Sequence, residues 1–522
     1  MDIVEAVLAM MAACIALAVL ARFAGLPYAV VLILGGCVLA FIPGLPDITL
    51  NPELALAFFL PPLLQASAYR TDWQAFRRNI RPILMLALGC VAFTALLIGF
   101  VARLLIPEMP WAAAIALGAI LAPPDAVAAA AVLQRLNLPR RIVTVLEGES
   151  LVNDASALVI YRVAVAAMVA GTFMPLEAAG SFFLVGLGGI ALGWAVGWAT
   201  LWAIARLKDT LLETALSFLA CYASFLGAEA FHLSGVMAVV TSGIMLGQAQ
   251  HRAFSARTRL EARTVWEFIE FVLTSLIFIL IGLQLNDILG RLNDRGVWEL
   301  TALALAISLA LIVSRFLWVF PALWLPRWVL GRARGEATPP VSHMVVLSWA
   351  GMRGVVSLAA AIALPLHFPE RDIIIFLAFC AILATLVVQG TTLEWVIKRV
   401  GLVMPPHPNG IDPEEATARH IAAVAMVGAI RKRANDVLYG PIASDLLAEH
   451  EDRAAHLERV QRGGGAASAE RAARRAVRLE ALEAARVAIL AHQAKGELSE
   501  ELLTKLGQEL DFEENRMRNA LG

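Results

Sequence analysis

The chain has 522 residues, 59% of them hydrophobic and 16% charged, with a formal net charge of -1. Together with a mean hydropathy of +0.73, this excludes an ordinary soluble enzyme and indicates an all-α polytopic membrane protein. Nearly all apolar runs lie in residues 1–400, whereas residues 401–522 are charged and rich in alanine.

Thirteen apolar segments follow one another, near 3–21, 27–42, 53–68, 82–106, 111–133, 142–171, 180–205, 211–231, 235–250, 266–289, 299–325, 342–364 and 373–396. The first is no cleavable signal peptide: it opens with Asp2 and Glu5 rather than Lys or Arg, and its apolar run continues to Arg22. With the N-terminus outside, the inner loops hold Arg22; Arg70, Arg77, Arg78 and Arg81; Arg135, Arg140 and Arg141; Arg206 and Lys208; Arg252, Arg257, Arg259 and Arg263; Arg327, Arg332 and Arg334; and Lys398 and Arg399. The outer loops hold only Arg103, Arg291, Arg295 and Arg371. Basic residues mark the cytoplasmic side, so thirteen spans with a cytoplasmic C-terminus are expected. The five cysteines sit within apolar segments with no CxxC spacing, as buried free thiols do.

Span 5 is interrupted at Ala122-Pro123-Pro124-Asp125, and span 12 at Ala350-Gly351-Met352-Arg353-Gly354. Proline removes backbone donors and breaks a helix. Interrupted spans at matching positions of two halves point to a transporter site. The two spans are seven apart, and an odd offset makes spans 1–6 and 8–13 two inverted repeats, with the interrupted helices crossing at midplane. Asp125 sits beside irregular backbone; as a plain structural alternative, it caps the restarted helix.

Span 6 carries Glu147, Glu149, Ser150, Asn153 and Asp154 inside an apolar run from Ile142. Ser150 and Asp154 are four residues apart, as are Glu149 and Asn153, which makes a polar stripe on a helix. At 1.5 Å per residue, Asp154 lies about 18 Å from Ile142, near the middle of a bilayer. Carboxylates there are costly and mark ion or proton paths. Arg315 in span 11 and Arg353 in span 12 need partners at that depth. The candidates are Glu149, Asp125 and Asp154. Glu147 faces the cytoplasmic entrance. Glu229 and His232, which close span 8, and Glu267 and Glu270, which open span 10, read as snorkelling charges. Gly189, Gly193 and Gly197 in span 7 form a helix-packing seam. No P-loop or HExxH motif occurs, and neither a nucleophile–base pair nor a metal-ligand motif is present.

The stretches Ala122-Pro123-Pro124-Asp125-Ala126-Val127-Ala128, Glu149-Ser150-Leu151-Val152-Asn153-Asp154 and Gly351-Met352-Arg353-Gly354 resemble the cation/proton antiporter-1 family of sodium/proton exchangers, its bacterial branch above all. Leu60-Pro61-Pro62-Leu63-Leu64, the run from Glu229 to Gly243, and Ile281-Gly282-Leu283-Gln284 agree with it, so the resemblance covers roughly residues 5–400. It implies a homodimer in the bacterial plasma membrane. It also implies a mobile core, about 82–171 and 299–396, moving against a dimer domain of the remaining spans in an elevator-like cycle. Asp154 matches the ion-binding aspartate, with Asn153, Ser150 and Asp125 as further site positions. Glu149 and Arg315 match a structural ion pair, and Arg353 matches the glycine-flanked arginine. Two departures stand out. Gln65 and Ala66 follow the Pro-Pro-Leu-Leu stretch, where many members carry a carboxylate, and Pro124-Asp125-Ala126 replaces a Thr-Asp-Pro found in some.

The expected activity is electroneutral exchange of sodium, or lithium, for a proton, with no cofactor, no resident metal and no nucleic-acid partner. A potassium/proton antiporter is the alternative; a cation channel is a more distant one. Residues 401–522 are expected to form a helical cytoplasmic extension that regulates transport. Gly463-Gly464-Gly465 reads as a break between its helices. The apolar run Ile421 to Ile430, flanked by His420 and Arg431-Lys432-Arg433, suits the membrane surface or a packed helix.

Overall fold

The computed structural model describes residues 3–42, 52–125, 129, 132–133, 136, 138–170, 175–207, 209–292, 296–334, 340–404, 413–434, 440–461, 467–494 and 500–519. Every regular element among them is helical. The chain divides into two compact units, Met1–Met404 and Pro405–Gly522.

The first unit contains α1 (Ile3–Ala24), α2 (Tyr28–Leu39), α3 (Pro52–Arg70), α4 (Trp73–Arg78), α5 (Ile80–Leu105), α6 (Trp111–Leu121), α7 (Arg140–Ala170) and α8 (Pro175–Leu207). It continues with α9 (Thr210–Ala230), α10 (Gly235–Ala253), α11 (Ala256–Leu283), α12 (Leu285–Gly290), α13 (Val297–Arg334), α14 (Val341–Trp349), α15 (Val355–Ile362) and α16 (Arg371–Arg399). Among the described residues, seven helices are long and apolar enough to cross a membrane: α5, α7, α8, α9, α11 running into α12, α13 and α16. Parts of α1, α2 and α6 are apolar but shorter.

Polar side chains at helix starts and freed carbonyls explain much of the local structure. Asp209, Ser234 and Ser255 cap α9, α10 and α11, accepting from the backbone N–H groups of Leu212, Met237 and Thr258. Helix α3 carries Pro61 and Pro62. Pro62 has no N–H for the carbonyl four residues earlier, and that carbonyl, of Phe58, accepts the Tyr222 hydroxyl of α9 at 3.0 Å. Helix α5 contains a π-turn at Met85–Cys90. The Met85 carbonyl at its start accepts Trp318 Nε1–H of α13 at 3.0 Å. A second π-turn, Thr385–Gln389, lies in α16.

Small residues let the helices approach closely. The seam of Gly189, Gly193 and Gly197 is where α8 meets Ser234, Ala238 and Ser242 of α10. Gly118 of α6 lies on the Ala95 backbone of α5, and Gly36 of α2 on Ile279 and Gly282 of α11. The main core cluster joins α1, α2, α5, α6, α7, α11 and α13–α16; a second joins α3, α7, α9, α10 and α11. Helix α7 belongs to both, through different faces.

The second unit contains α17 (Pro413–Arg431), α18 (Gly440–Gln461), α19 (Ala467–Ala494) and α20 (Glu500–Asn519). Arg431 pairs with Glu451 between α17 and α18, and Arg486 of α19 pairs with Asp511 and Glu514 of α20. Gly463-Gly464-Gly465 lies outside the described residues.

Candidate ion-binding site

The site is built where α7 runs unbroken past two segments that are not helical. Helix α6 ends at Leu121 and residues 123–125 are not helical; Ala126-Val127-Ala128 lies outside the described residues. Helix α14 ends at Trp349, and residues 351–354 are unwound before α15. Such segments expose carbonyls and N–H groups that a continuous helix would pair internally. Here the two segments pair with each other: the Asp125 N–H donates to the Met352 carbonyl at 2.7 Å.

The two buried arginines use the freed carbonyls. Arg315 and Glu149 are each 1% exposed. The guanidinium donates through both terminal nitrogens to the two Glu149 oxygens, each at 2.7 Å, and through Nε to the Leu347 carbonyl in the last turn of α14 at 3.0 Å. This fork-to-fork geometry is the strongest form of the pair. Among three candidate carboxylates, Arg315 therefore takes Glu149. Arg353 departs from expectation. Its guanidinium donates to the carbonyls of Leu121, at the end of α6, and Gly351. A cation suits the negative end of a helix dipole, so a C-terminus can hold it. The Arg353 backbone N–H donates to Thr385 Oγ1 at 3.1 Å, in the second π-turn.

The flanking glycines have separate steric roles. A side chain at Gly351 would strike the Arg315 side chain, and one at Gly354 would strike the Asp125 carboxylate. Asp125 thus lies against the residue preceding α15, at the positive end of that helix.

Asn153 is fully buried, and its Nδ2 donates to the Pro124 carbonyl at 2.8 Å. Its Oδ1 has no hydrogen-bond partner among the described residues. Asp154 is 7% exposed, and no hydrogen bond or ion pair reaches its carboxylate among the described residues. Asp125 lies within electrostatic reach of it. Ser150, half-buried, stands one turn earlier on the same side of α7. Glu147 is half-buried and within reach of Arg70.

The remaining polar residues sit at helix contacts. Gln65 is buried, with Oε1 3.4 Å from Ser242 Oγ, which in turn accepts from Ser224 at 3.0 Å; Ala66 is also buried. Glu270 is not a lone snorkelling charge: Arg70 of α3 grips both its oxygens at 2.6 and 2.8 Å. Glu229 is held likewise by Arg162 of α7. Glu267 pairs with Arg263 on its own helix. The residues that sequence reasoning missed are Thr385 and the carbonyl acceptors of Leu121, Pro124, Leu347 and Gly351.

A family model described as "Sodium/hydrogen exchanger, transmembrane" matches residues 9–399. The chain belongs to the sodium/hydrogen exchanger family. It is 34% identical to an uncharacterised Na+/H+ exchanger of Mycobacterium tuberculosis, over 93% of this chain and 91% of the relative. It is 32% identical to the Na+/H+ antiporter ApNhaP of Aphanothece halophytica, over 73% of this chain and 71% of that one. A Bacillus subtilis relative, named a sodium, potassium, lithium and rubidium/H+ antiporter, is 36% identical over 66% of this chain and 54% of its own length. The solved structure of the sodium proton antiporter MjNhaP1 from Methanocaldococcus jannaschii superposes with a TM-score of 0.61 at 19% identity, covering 77% of this chain and all of that one. That likeness establishes the fold. This sodium/hydrogen exchanger relative is accordingly a multi-pass membrane transporter rather than an enzyme.

Proposed function

We propose that this exchanger is an electroneutral secondary antiporter that trades one sodium or lithium ion for one proton at Asp154. The observation that carries this reading is the contrast between neighbouring carboxylates of α7. Glu149 is neutralised by a bidentate arginine. Asp154, five residues on, is buried with no cation beside it. A buried carboxylate without a partner must take up a proton or a cation. Asn153 Oδ1, Ser150 and Asp125 supply further oxygen donors for a hard cation. Asparagine carries no titratable proton, and in this reading Asp125 keeps one protonation state through the cycle, so a single exchangeable charge remains.

The transport unit in this reading is residues 1–400, with thirteen spans in two inverted repeats and two interrupted helices crossing at midplane. Spans about 82–171 and 299–396 move as a core against the rest, in an elevator-like form of alternating access within a homodimer. The protein sits in a bacterial plasma membrane, N-terminus outside and C-terminus cytoplasmic, and needs no cofactor. Potassium is the second reading, supported by the wider ion range in the name of the Bacillus subtilis relative and by Gln65 where a carboxylate is common. The test is purified protein in liposomes with an interior pH dye, challenged in turn with sodium, lithium, potassium and rubidium. A dye response to sodium and lithium is expected. A response to potassium alone selects the second reading, and no response to any cation removes both.

A further inference from the structure

A second carboxylate, well apart in sequence from Asp154, is buried with one oxygen unpartnered among the described residues. Glu213, in the first turn of α9, is 3% exposed, and its Oε2 has no hydrogen-bond partner among the described residues. Thr210 and Ser217, three residues before it and four after, share its side of the helix. Both reach α11. Thr210 Oγ1 lies 3.1 Å from Thr258 Oγ1, and Trp266 Nε1–H donates to Ser217 Oγ at 3.2 Å. Thr258 Oγ1 is also 2.8 Å from Ser255 Oγ. These contacts fix the register, with residues 210 and 217 of α9 opposite residues 258 and 266 of α11. Glu213 therefore stands between two interhelical hydrogen bonds, across from the level of Ala262, which is buried and has no polar side-chain group.

Among the described residues, the arginines nearby are engaged elsewhere. Arg257 pairs with Glu261 and Arg263 with Glu267, each one turn along α11; Arg259 donates to the Phe254 carbonyl. Arg206 donates to the Trp202 carbonyl and lies over its ring. A buried carboxylate with no counter-charge is far more costly than an unmade hydrogen bond. The polar side-chain groups along this seam are one carboxylate and the hydroxyls of Thr210, Ser217 and Thr258, with the Trp266 indole N–H turned onto Ser217. Such oxygen donors suit hard cations, and a single negative charge balances a monovalent ion, where a divalent one is usually held by several carboxylates.

We propose that Glu213 is the anionic centre of a second monovalent-cation site, formed by α9 and α11. Its ligands come from two helices whose described residues are continuous, so the ion clamps the helices together rather than travelling between the faces of the membrane. Sodium bound there senses the ion that Asp154 transports.

The test uses the purified full-length protein carrying D154N, which removes the proposed transport carboxylate. Radioactive sodium binding is measured by scintillation proximity, and thermal stability is followed in sodium against choline. The expected result is saturable single-site binding and a sodium-dependent rise in Tm, both lost when E213Q is added and the binding weakened several-fold by T258V. E213Q keeps the side chain's shape, and its Tm in choline checks that the fold survives. T258V in the D154N background gives a second reading should E213Q fail to fold. No saturable binding in D154N, or binding that persists with E213Q, overturns the proposal. Sodium–proton exchange by D154N liposomes instead overturns the assignment of Asp154, whichever way the binding falls.

Discussion

Asn153 Nδ2 donates to the Pro124 carbonyl at 2.8 Å, joining the continuous helix α7 to the non-helical segment after α6. The bond settles which way the amide faces, because a carbonyl accepts only from the NH2 end. It thereby leaves Oδ1 turned away from Pro124 and available to an ion. Asn153→Asp replaces this donor with an acceptor and sets two oxygens against each other. The expected outcome is a loss rather than a new coupling mode: stability falls by about 1–3 kcal/mol, and exchange slows. Thermal unfolding and dye-based flux measure the two effects. Wild-type Tm together with faster exchange would show that the Pro124 bond is not needed.

The Glu149–Arg315 pair makes a second prediction. Both groups are buried, so removing one strands the other, at about 3–5 kcal/mol. Arg315→Ala should lower the yield of folded, monodisperse protein, as should Glu149→Ala. Replacing both with neutral polar residues should recover much of it. A double variant no better folded than either single one would mean that the pair is not the source of the loss.

How much of this was legible in the sequence differs from residue to residue. The apolar runs and the polar stripe on α7 announce themselves, because they depend on side-chain type and helical spacing alone. Residue spacing alone left the partner of Arg315 open among three carboxylates, while the family resemblance pointed to Glu149, where the structure has the pair. Sequence spacing does not show which side of α7 faces α13, and the structure turns Glu149 there. The partners of Arg353 were beyond reach. They are backbone carbonyls of Leu121 and Gly351, and such groups become acceptors only where a helix stops. Thr385 looked like any threonine in an apolar span until the π-turn brought it to the Arg353 N–H. Pro61 and Pro62 entered the sequence reading only through the family resemblance, and the contact of the carbonyl that Pro62 frees, with Tyr222, came from the structure.

Gly354→Ala tests the position of Asp125. Gly354 has φ -133° and ψ -154°, extended backbone that alanine adopts readily. Any effect of the added methyl is therefore steric, and it falls on the Asp125 carboxylate. Displacing a site group by about 1 Å typically costs up to a hundredfold, so exchange should slow by about tenfold to a hundredfold with the fold retained. Gly290→Ala, where an added methyl meets nothing within 4 Å, is the control and should leave flux unchanged. Equal flux in the two variants would show that Asp125 has room to move.

Truncation after Met404 removes the whole second unit, Pro405–Gly522. The Asp154 constellation lies entirely in the first. Antiport should remain measurable, with a shift in its pH dependence as the sign of lost regulation. A truncated protein that inserts and folds yet carries no flux would make the second unit part of the transport machinery.

The last prediction concerns coupling. Glu149 has its charge matched by Arg315, and Arg353 is held on the Leu121 carbonyl at the end of α6. In the proposed cycle Asp154 is the carboxylate that a proton and a sodium ion share. If both bind the same oxygens, neither adds to the other, and each half-cycle carries one positive charge. Net charge movement is then zero, so a membrane potential has no work to do on the cycle. Asp154→Asn keeps the shape and removes the charge, which should abolish sodium-dependent proton flux while Tm is retained. In wild-type liposomes, raising sodium should compete with protons rather than add to them, and a potassium–valinomycin potential should neither drive nor slow exchange. Asp125 is the group that would break this scheme, since a second titrating carboxylate lets two protons return per sodium. Clear voltage dependence in the wild type, lost in Asp125→Asn, would move the exchanger from the electroneutral to the electrogenic class and give Asp125 the second proton.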